Sequence, residues 1–415
     1  MSSILVAWST WLALTFFYAY QFVQRIFPNI VMDDIMDKYH VNANEIGHFA
    51  GIYYIGYVAM HIPLGILLDH FNAKKIIPLC ILLAVVGFAP LAYMDDLAIA
   101  TYGRLLIGIG SSAVAVGAFK LLRLGFGEEK FPKMLGWMIT IGLLGAVFGS
   151  GPLARLISYI GWQEALNYII YVGLALVVFS YFAIPNTKSE EKFSFAIVMH
   201  DFKYLFSNKI VLLVGVLGGL MIGPFEGFAD AWSNPYLKTT YKLTNEEAGD
   251  ITQLVYIGMA VGLVVMGYIF EKTKSYYGIL LASGAAMLLC LALLLTGVVA
   301  NVSFLKWVFF IIGIFCAYQI VLIAKSIALV HVKHATFISA IANMLMMGFG
   351  YVSHRAIGVL LHYFWDGDKN MQGSPVYSVE NFRDALLVLP ISLIVAIIGF
   401  VLLAIIEKSN KKIAK

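Results

Sequence analysis

Residues 39–75 read YHVNANEIGHFAGIYYIGYVAMHIPLGILLDHFNAKK, and residues 241–274, YKLTNEEAGDITQLVYIGMAVGLVVMGYIFEKTK, write much of the same pattern again. At a constant offset of 202 residues (56 to 258), Tyr39, Glu45, Gly47, Tyr54, Ile55, Gly56 and Gly65 meet Tyr241, Glu247, Gly249, Tyr256, Ile257, Gly258 and Gly267. Asp69 meets Glu271, charge for charge. Each copy opens on a capping-box pattern, Asn42 with Glu45 and Thr244 with Glu247, in which side chains satisfy the first free N–H groups of a helix. An apolar run dotted with glycines follows, and an acid followed by lysines closes it. This is the pattern of a membrane helix entering a charged turn. Two copies half a chain apart predict an internal duplication, with a binding site between the repeats.

Composition points the same way. Of 415 residues, 61% are hydrophobic and 13% charged, and the mean hydropathy is +0.85. A soluble domain carries about a quarter charged residues, so the chain belongs in a bilayer. Apolar runs of about 20 to 28 residues predict spans at 5–34, 44–68, 74–94, 97–122, 132–158, 164–184, 209–233, 246–270, 275–299, 303–328, 335–362 and 383–406. The start, MSSILVAWST, lacks the basic opening and short apolar core of a cleaved signal peptide, and reads as a retained first span.

Lysines and arginines gather in alternate loops, at Lys74 and Lys75, Arg123 to Lys133, Lys188 to Lys209, Lys272 and Lys274, Lys333, and Lys408 to Lys415. By the positive-inside rule both termini are then cytoplasmic. The opposite loops carry Asp33, Asp34, Asp37, Asp95 and Asp96, and the longest of them is WDGDKNMQGSPVYSVEN at 365–381. The net charge of +4 reflects this bias, and no basic cluster with interleaved aromatics points to nucleic acid. The expected organisation is an N-terminal six-helix bundle at 1–184, a linker at 185–208 and a C-terminal bundle with a short tail at 209–415. Phe195, Met199, Phe202 and Phe206 fall near one face, so the linker is either an interfacial helix or a plain connector.

Few residues offer enzyme chemistry. Cys80, Cys290 and Cys316 lie inside apolar spans without metal-ligand spacing and read as packing residues. His331 and His334 flank Lys333 in a turn. His362, Asp366 and Gly367 spell His-x-x-x-Asp-Gly at a loop edge, with no nucleophile or oxyanion donors nearby. No metal, cofactor or catalytic residue is expected.

Gly65, Asp69 and Lys74 in GILLDHFNAKK resemble the gating loop between helices 2 and 3 of the major facilitator superfamily, Gly-x-x-x-Asp-Arg-x-Gly-Arg-Arg, with His70, Asn72 and Ala73 replacing Arg, Gly and Arg. Arg104, Gly108 and Gly110 in GRLLIGIGSSA resemble that family's helix-4 pattern, whose arginine is linked to coupling. The competing reading of Arg104 is a charge snorkelling to the outer end. Ile107-Gly108-Ile109 recurs as Ile312-Gly313-Ile314, and Lys120 as Lys325, at an offset of 205. The two lysines read as inner-end snorkels, and the changed offset implies three extra residues near the loop between helices 9 and 10. Helix 5 carries Gly142, Gly145, Gly149 and Gly151-Pro152, a small-residue face that permits close contact and a bend. Arg155 stands where the family's antiporter motif has glycine.

Tyr20, Phe22, Pro28 and Met32 in helix 1, and Asn343, Gly350, Gly358, Trp365-Asp366-Gly367 and Tyr377-Ser378 around helix 11, resemble a bacterial branch of the superfamily. That branch is associated with amino-acid and nucleoside uptake and is related to a lysosomal dipeptide branch. Helix 7, GPFEGFADAWSNPYL, places Glu226 and Asp230 four apart on one helical face, rare acids in an apolar run. With Arg104 they are the expected proton-coupling groups, unless Asp230 is a hydrated residue near the outer mouth.

Through Trp232, Ser233, Tyr236 and Leu237, helix 7 is similar to that of the organic-anion exchangers, in which the positions of Arg25 and Glu226 tend both to be basic. Here one is acidic, which suits a zwitterion. The expected substrate contacts are Arg25, Glu226, Tyr20, Tyr54, Tyr256, Asn343, His354 and Arg355. Arg355 and His354 tilt the cavity toward positive and keep an organic anion open, and Arg25 and Glu226 pairing as a gate is the other reading.

The expectation is thus an all-α membrane protein of twelve transmembrane helices in two pseudo-symmetric six-helix bundles. The resemblance implies a monomeric, proton-coupled secondary transporter of the bacterial inner membrane, working by alternating access on an amino acid or short peptide. An organic anion or nucleoside is the alternative substrate. A membrane-embedded enzyme and a non-transporting receptor are the alternative classes.

Overall fold

The computed structural model describes residues 3–187, 208–298, 301–331 and 335–413. The first crossing, α1 (Ser3–Ile30), stops at Val31. The short amphipathic α2 (Met32–Tyr39) then turns away with Ile35 and Met36 buried and Asp33 and Asp34 in its first turn. The expected first span, 5–34, ran too far, because the two aspartates belong to this separate helix. α3 (Ala43–His70) and α4 (Ala73–Tyr93) make the next two crossings. α5 (Leu97–Gly142) runs for 46 residues and holds two crossings hinged at Gly127, whose φ of +74° suits glycine alone. Its second arm continues through α6 (Leu144–Phe148) and α7 (Gly151–Ile160), bent where Gly149, Ser150 and Pro152 interrupt the backbone ladder. α8 (Trp162–Ala183) completes the first six.

The seventh crossing is assembled from α9 (Lys209–Leu220), a π-helical segment α10 (Gly223–Trp232) and α11 (Ser233–Tyr241). It extends past the expected end at residue 233, because the helix re-forms after the π segment. α12 (Asn245–Thr273) and α13 (Tyr276–Leu295) follow. α14 (Val302–Cys316) with α15 (Tyr318–Ala328), α16 (Ala335–Tyr363), and α17 (Val379–Leu386) with α18 (Val388–Ile413) complete the set. Among the described residues, ten stretches are long and apolar enough to cross a bilayer. One of them, Leu97–Ile160, contains two crossings, and α1, interrupted by threonines, glutamines and Arg25, stands outside the ten. The total is twelve. Val178, Val264, Ile391 and Leu402 are each more than half exposed, as side chains facing lipid are.

The repeat read from sequence reappears as packing. Both capping boxes form. A Cβ built on Gly56 would lie 2.3 Å from the Leu105 carbonyl oxygen, and one on Gly258 would lie 2.1 Å from that of Phe310. Reciprocally, Gly108 abuts the Tyr53 carbonyl and Gly313 that of Val255. The partners obey the same two offsets, 202 and 205. Residues 94–96 join α4 to α5 and residues 296–301 join α13 to α14, which accounts for the three-residue difference.

A second glycine pair works between the halves. Gly47 of α3 meets the His354 carbonyl and Gly358 of α16, while its repeat mate Gly249 of α12 meets Gly151 of α7. Arg155 and Asp250 form an ion pair beside the latter contact. Twelve crossings bring both termini to one end, and these contacts close the other.

At the end bearing the termini the two copies diverge. Lys120 pairs with Asp69 at 2.7 Å and donates to the Leu68 carbonyl, and Lys325 pairs with Glu407 at 2.7 Å beside the Tyr277 hydroxyl. Neither lysine snorkels, because each has an acid within reach. Glu271, the mate of Asp69, makes no ion pair among the described residues. Lys74 lies over the Tyr181 ring instead of beside Asp69, and Gly65 and Gly267 have loose surroundings, where a Cβ would lie 3.7 and 3.9 Å from Val116 and Ile320. Asn72 caps α4 and binds Asn186 and Thr187, just after α8. The expected interfacial helix at 192–206 lies outside the described residues.

Candidate functional site

Gly223 and Pro224 open α10, and the wide i→i+5 turns that follow set Glu226 almost directly beneath Asp230. Both carboxylates reach Arg25 of α1. Arg25 Nη1 is 3.0 Å from Glu226 Oε2, and Nε is 2.8 Å from Asp230 Oδ2. The latter contact is off the N–H axis and is a charge contact, not a hydrogen bond. The three side chains are 6%, 2% and 1% exposed, so Asp230 is not a hydrated residue at the mouth. Phe22 stacks on the guanidinium at 4.3 Å. The cluster joins the halves, with the cation on the first and both acids on the second.

The repeated tyrosines converge on it from opposite sides. Tyr256 of α12 donates to Asp230 Oδ1 at 2.8 Å. Tyr54 of α3 lies 2.5 Å from Glu226 Oε2 and 2.6 Å from Asp230 Oδ2. Gly350 leaves room for the Tyr54 ring, and His354 packs against it at a tilt of 31° with centroids 5.5 Å apart.

Arg104 approaches from α5 but touches neither acid. Its guanidinium donates to the Gln24 and Arg25 carbonyls at 2.5 and 2.6 Å, beneath the Tyr53 ring. At 2% exposure it does not snorkel; it fixes the backbone that carries Arg25.

Other expected site residues lie elsewhere. The Tyr20 hydroxyl meets Gln24 and packs on Gly173 of α8, inside the first half. Arg355 donates to the Asn44 carbonyl at 2.6 Å, at the closed end, so its charge does not tilt the cluster toward positive. Asn343 sits beside the Tyr57 hydroxyl, further toward the end with the termini. The Asp366 carboxylate accepts from Ser378 and Asn381 and His362 stacks on Trp365, so the His-x-x-x-Asp-Gly fragment shapes a loop.

One network was not expected from sequence. Asn29 donates to the Ala229 carbonyl and Ser233 and accepts from the Asn234 N–H, Ser233 and Asn234 both reach Thr252, and Asn245 returns to the Ile30 carbonyl. It ties α1 to the seventh and eighth crossings just beyond the ion cluster. Its only signal was small polar residues in apolar runs. Still nearer the closed end, a cavity of about 310 Å³ is bounded by Asp33, Asp37, Trp232, Lys238 and Tyr377. Lys238 pairs with Asp33 at 2.5 Å, Asn370 donates to Asp37, and the Tyr377 oxygen accepts from the Ala43 N–H. Burial pushes the Tyr377 hydroxyl up to about 12, so it keeps its proton.

A family model described as Major Facilitator Superfamily matches residues 10–353. Among curated relatives, an uncharacterized transporter of Bacillus subtilis, YybO, is 24% identical over 288 residues, 61% of this chain and 65% of that protein. A probable L-galactonate transporter of Escherichia coli is 21% identical over 289 residues, 63% of this chain and 61% of that protein. The chain therefore matches less than two thirds of the length of either. Among solved structures, a bacterial homolog of the human lysosomal transporter Spinster, inward-facing and unoccupied, gives a TM-score of 0.78 at 15% identity over 96% of both chains. The nucleoside transporter NupG gives 0.75 at 15% identity, over 94% of this chain and 98% of that one. At such identities the likeness speaks to the fold alone. With the family model spanning most of the chain and twelve helices packed in its arrangement, the chain belongs to the Major Facilitator Superfamily, a family of transporters and not of enzymes.

Proposed function

We propose that the chain is a proton-coupled secondary transporter that carries a small zwitterion, an amino acid or short peptide, by alternating access between bundles 1–184 and 209–415 joined by the linker 185–208. The observation that carries this reading is the buried pairing of Arg25 with both Glu226 and Asp230 across the two halves. Breaking such a pair without replacement leaves an uncompensated buried charge, at a cost of about 3–5 kcal/mol. A zwitterion can enter without that penalty, its carboxylate on Arg25 and its ammonium on the acid it displaces. An amine-free anion would add a negative charge to a buried cluster in which Arg25 is already matched by its own acids, and would need protons to enter with it. The nucleoside and sugar carriers of similar fold keep uncharged solutes as the other alternative.

The acids sit where proton binding would alter the tie between halves, which favours coupling to protons. In this reading the protein works as a monomer in a bacterial inner membrane, with both termini cytoplasmic by the loop charge bias. Purified protein in proteoliposomes tests the coupling. Uptake of an amino acid or dipeptide should rise with an inward proton gradient and fall when an ionophore collapses it. Equal uptake under both conditions would mean a facilitator or another ion.

A further inference from the structure

Tyr54 has one hydroxyl hydrogen, yet its oxygen lies 2.5 Å from Glu226 Oε2 and 2.6 Å from Asp230 Oδ2. Both are lengths of true O–H···O bonds, and each requires its own hydrogen between the oxygens. With both acids ionised, one contact would press two oxygens together with nothing between them, on side chains that are only 2% and 1% exposed. We infer that in this closed state the Glu226–Asp230 pair holds a single proton, shared across the interface between the halves through the Tyr54 hydroxyl. The inference rests on the proposed proton coupling and gives it an atomic form.

The remaining partners decide which acid holds the proton. Asp230 receives an additional hydrogen bond from Tyr256 on Oδ1 and the Arg25 Nε charge on Oδ2, whereas Glu226 has Arg25 Nη1 and no second tyrosine. Asp230 is therefore the carboxylate and Glu226 the acid. Glu226 donates to the Tyr54 oxygen, and Tyr54 donates to Asp230. The other groups around the pair do not supply this proton. Arg104 is spent on α1 carbonyls, the Tyr53 hydroxyl is turned to Gln21, Tyr318 donates to the Gly218 carbonyl, Cys316 lies against Met287, and His354 packs its tilted ring on Tyr54 and faces the Glu226 backbone rather than a carboxyl oxygen. One carboxylate and one neutral acid leave Arg25 balanced at zero net charge, the least costly state for a buried cluster. When the proton passes to water, as hydronium, Tyr54 can keep only one of its two carboxyl contacts. Tyr54 belongs to the first half and both acids to the second, so deprotonation removes one tie across the interface.

Infrared difference spectra of the full-length protein in lipid, recorded between neutral and alkaline pH, read this directly. The wild type should show one protonated-carboxyl C=O band at neutral pH that Glu226→Gln abolishes. In Tyr54→Phe the band should persist and move to higher frequency, because the acid O–H has lost its acceptor. Absence of any such band from the wild type would overturn the inference, whatever the variants do. So would a band that Tyr54→Phe leaves unmoved, or one that Glu226→Gln leaves in place. Uptake indifferent to the proton gradient would refute the coupling while leaving the spectrum intact, so the two failures are distinguishable.

Discussion

The two copies of the repeat, 39–75 and 241–274, were built from one plan and have been put to different uses along their length. Near the closed end they do the same work. Both are capped by the same box, and Gly47 and Gly249 bring each helix against the opposite half. In the middle they diverge in direction. Tyr256 supports Asp230 from within its own half, while Tyr54 reaches across to both acids. At the end bearing the termini they part company, since Lys120 finds Asp69 inside the repeat and Lys325 finds Glu407 on the last helix. Packing and capping positions have kept the symmetry of the duplication, and the charged positions at the site and at the end bearing the termini have lost it. A transporter needs this division, because symmetric packing lets both halves rock about one site while the site itself must distinguish a solute from a proton.

That comparison can be broken most forcefully at Arg25, which has no basic counterpart in the middle of the seventh crossing. Arg25→Ala should destabilise the protein by about 3–5 kcal/mol, because the buried Asp230 carboxylate and the acid beside it lose their cation. Adding Glu226→Gln and Asp230→Asn should recover most of that loss in a thermal melt without restoring transport. Next come the glycines. Gly56→Val and Gly258→Val should each cost about 1–3 kcal/mol by overpacking, and by similar amounts, since each would meet a backbone carbonyl. Gly47→Val should leave the melting point closer to wild type and open the closed end, read as greater labelling of a cysteine placed at Ser374, which is buried beside the cavity there. If Gly258→Val is harmless while Gly56→Val unfolds the protein, the halves do not pack alike. The smallest effects sharpen the divergent ends. Lys325→Met, buried with Glu407, should cost about 2 kcal/mol, whereas Lys120→Met, facing a carboxylate that is 57% exposed, should cost under about 1 kcal/mol.

Much of this was legible in the sequence because the governing signals are local. Twelve spans follow from runs of apolar residues, and the duplication from glycines whose spacing only close helix contact explains. Placing Glu226 opposite Arg25 raised the pairing of those two, but Asp230 was set with Arg104 or at a hydrated outer mouth, and its contact with Arg25 was not foreseen. What escaped is set by the direction of long side chains and by backbone that departs from the α-helix. Gly223-Pro224 marks a break but does not announce a π-helix. Arg355 and Tyr20 lie on the expected helices, yet one swings toward the Asn44 carbonyl and the other toward Gly173, choices fixed by neighbours far away in sequence. Arg104 was singled out, but its partners are backbone carbonyls, which no residue pattern can display. Glu407, 82 residues from Lys325, belongs to a segment that read only as a basic tail.

The central claim is that Arg25 and its two acids form the place where solute and proton are exchanged. Equilibrium binding on purified protein tests it most directly, comparing an amino acid, a dipeptide and an amine-free organic acid on wild type and on Glu226→Gln. The zwitterions should bind the wild type and lose at least about tenfold in affinity, 1.4 kcal/mol or more, in the variant, while any amine-free ligand is spared. Zwitterion binding that is equally tight in Glu226→Gln, or binding by amine-free anions alone, would contradict it.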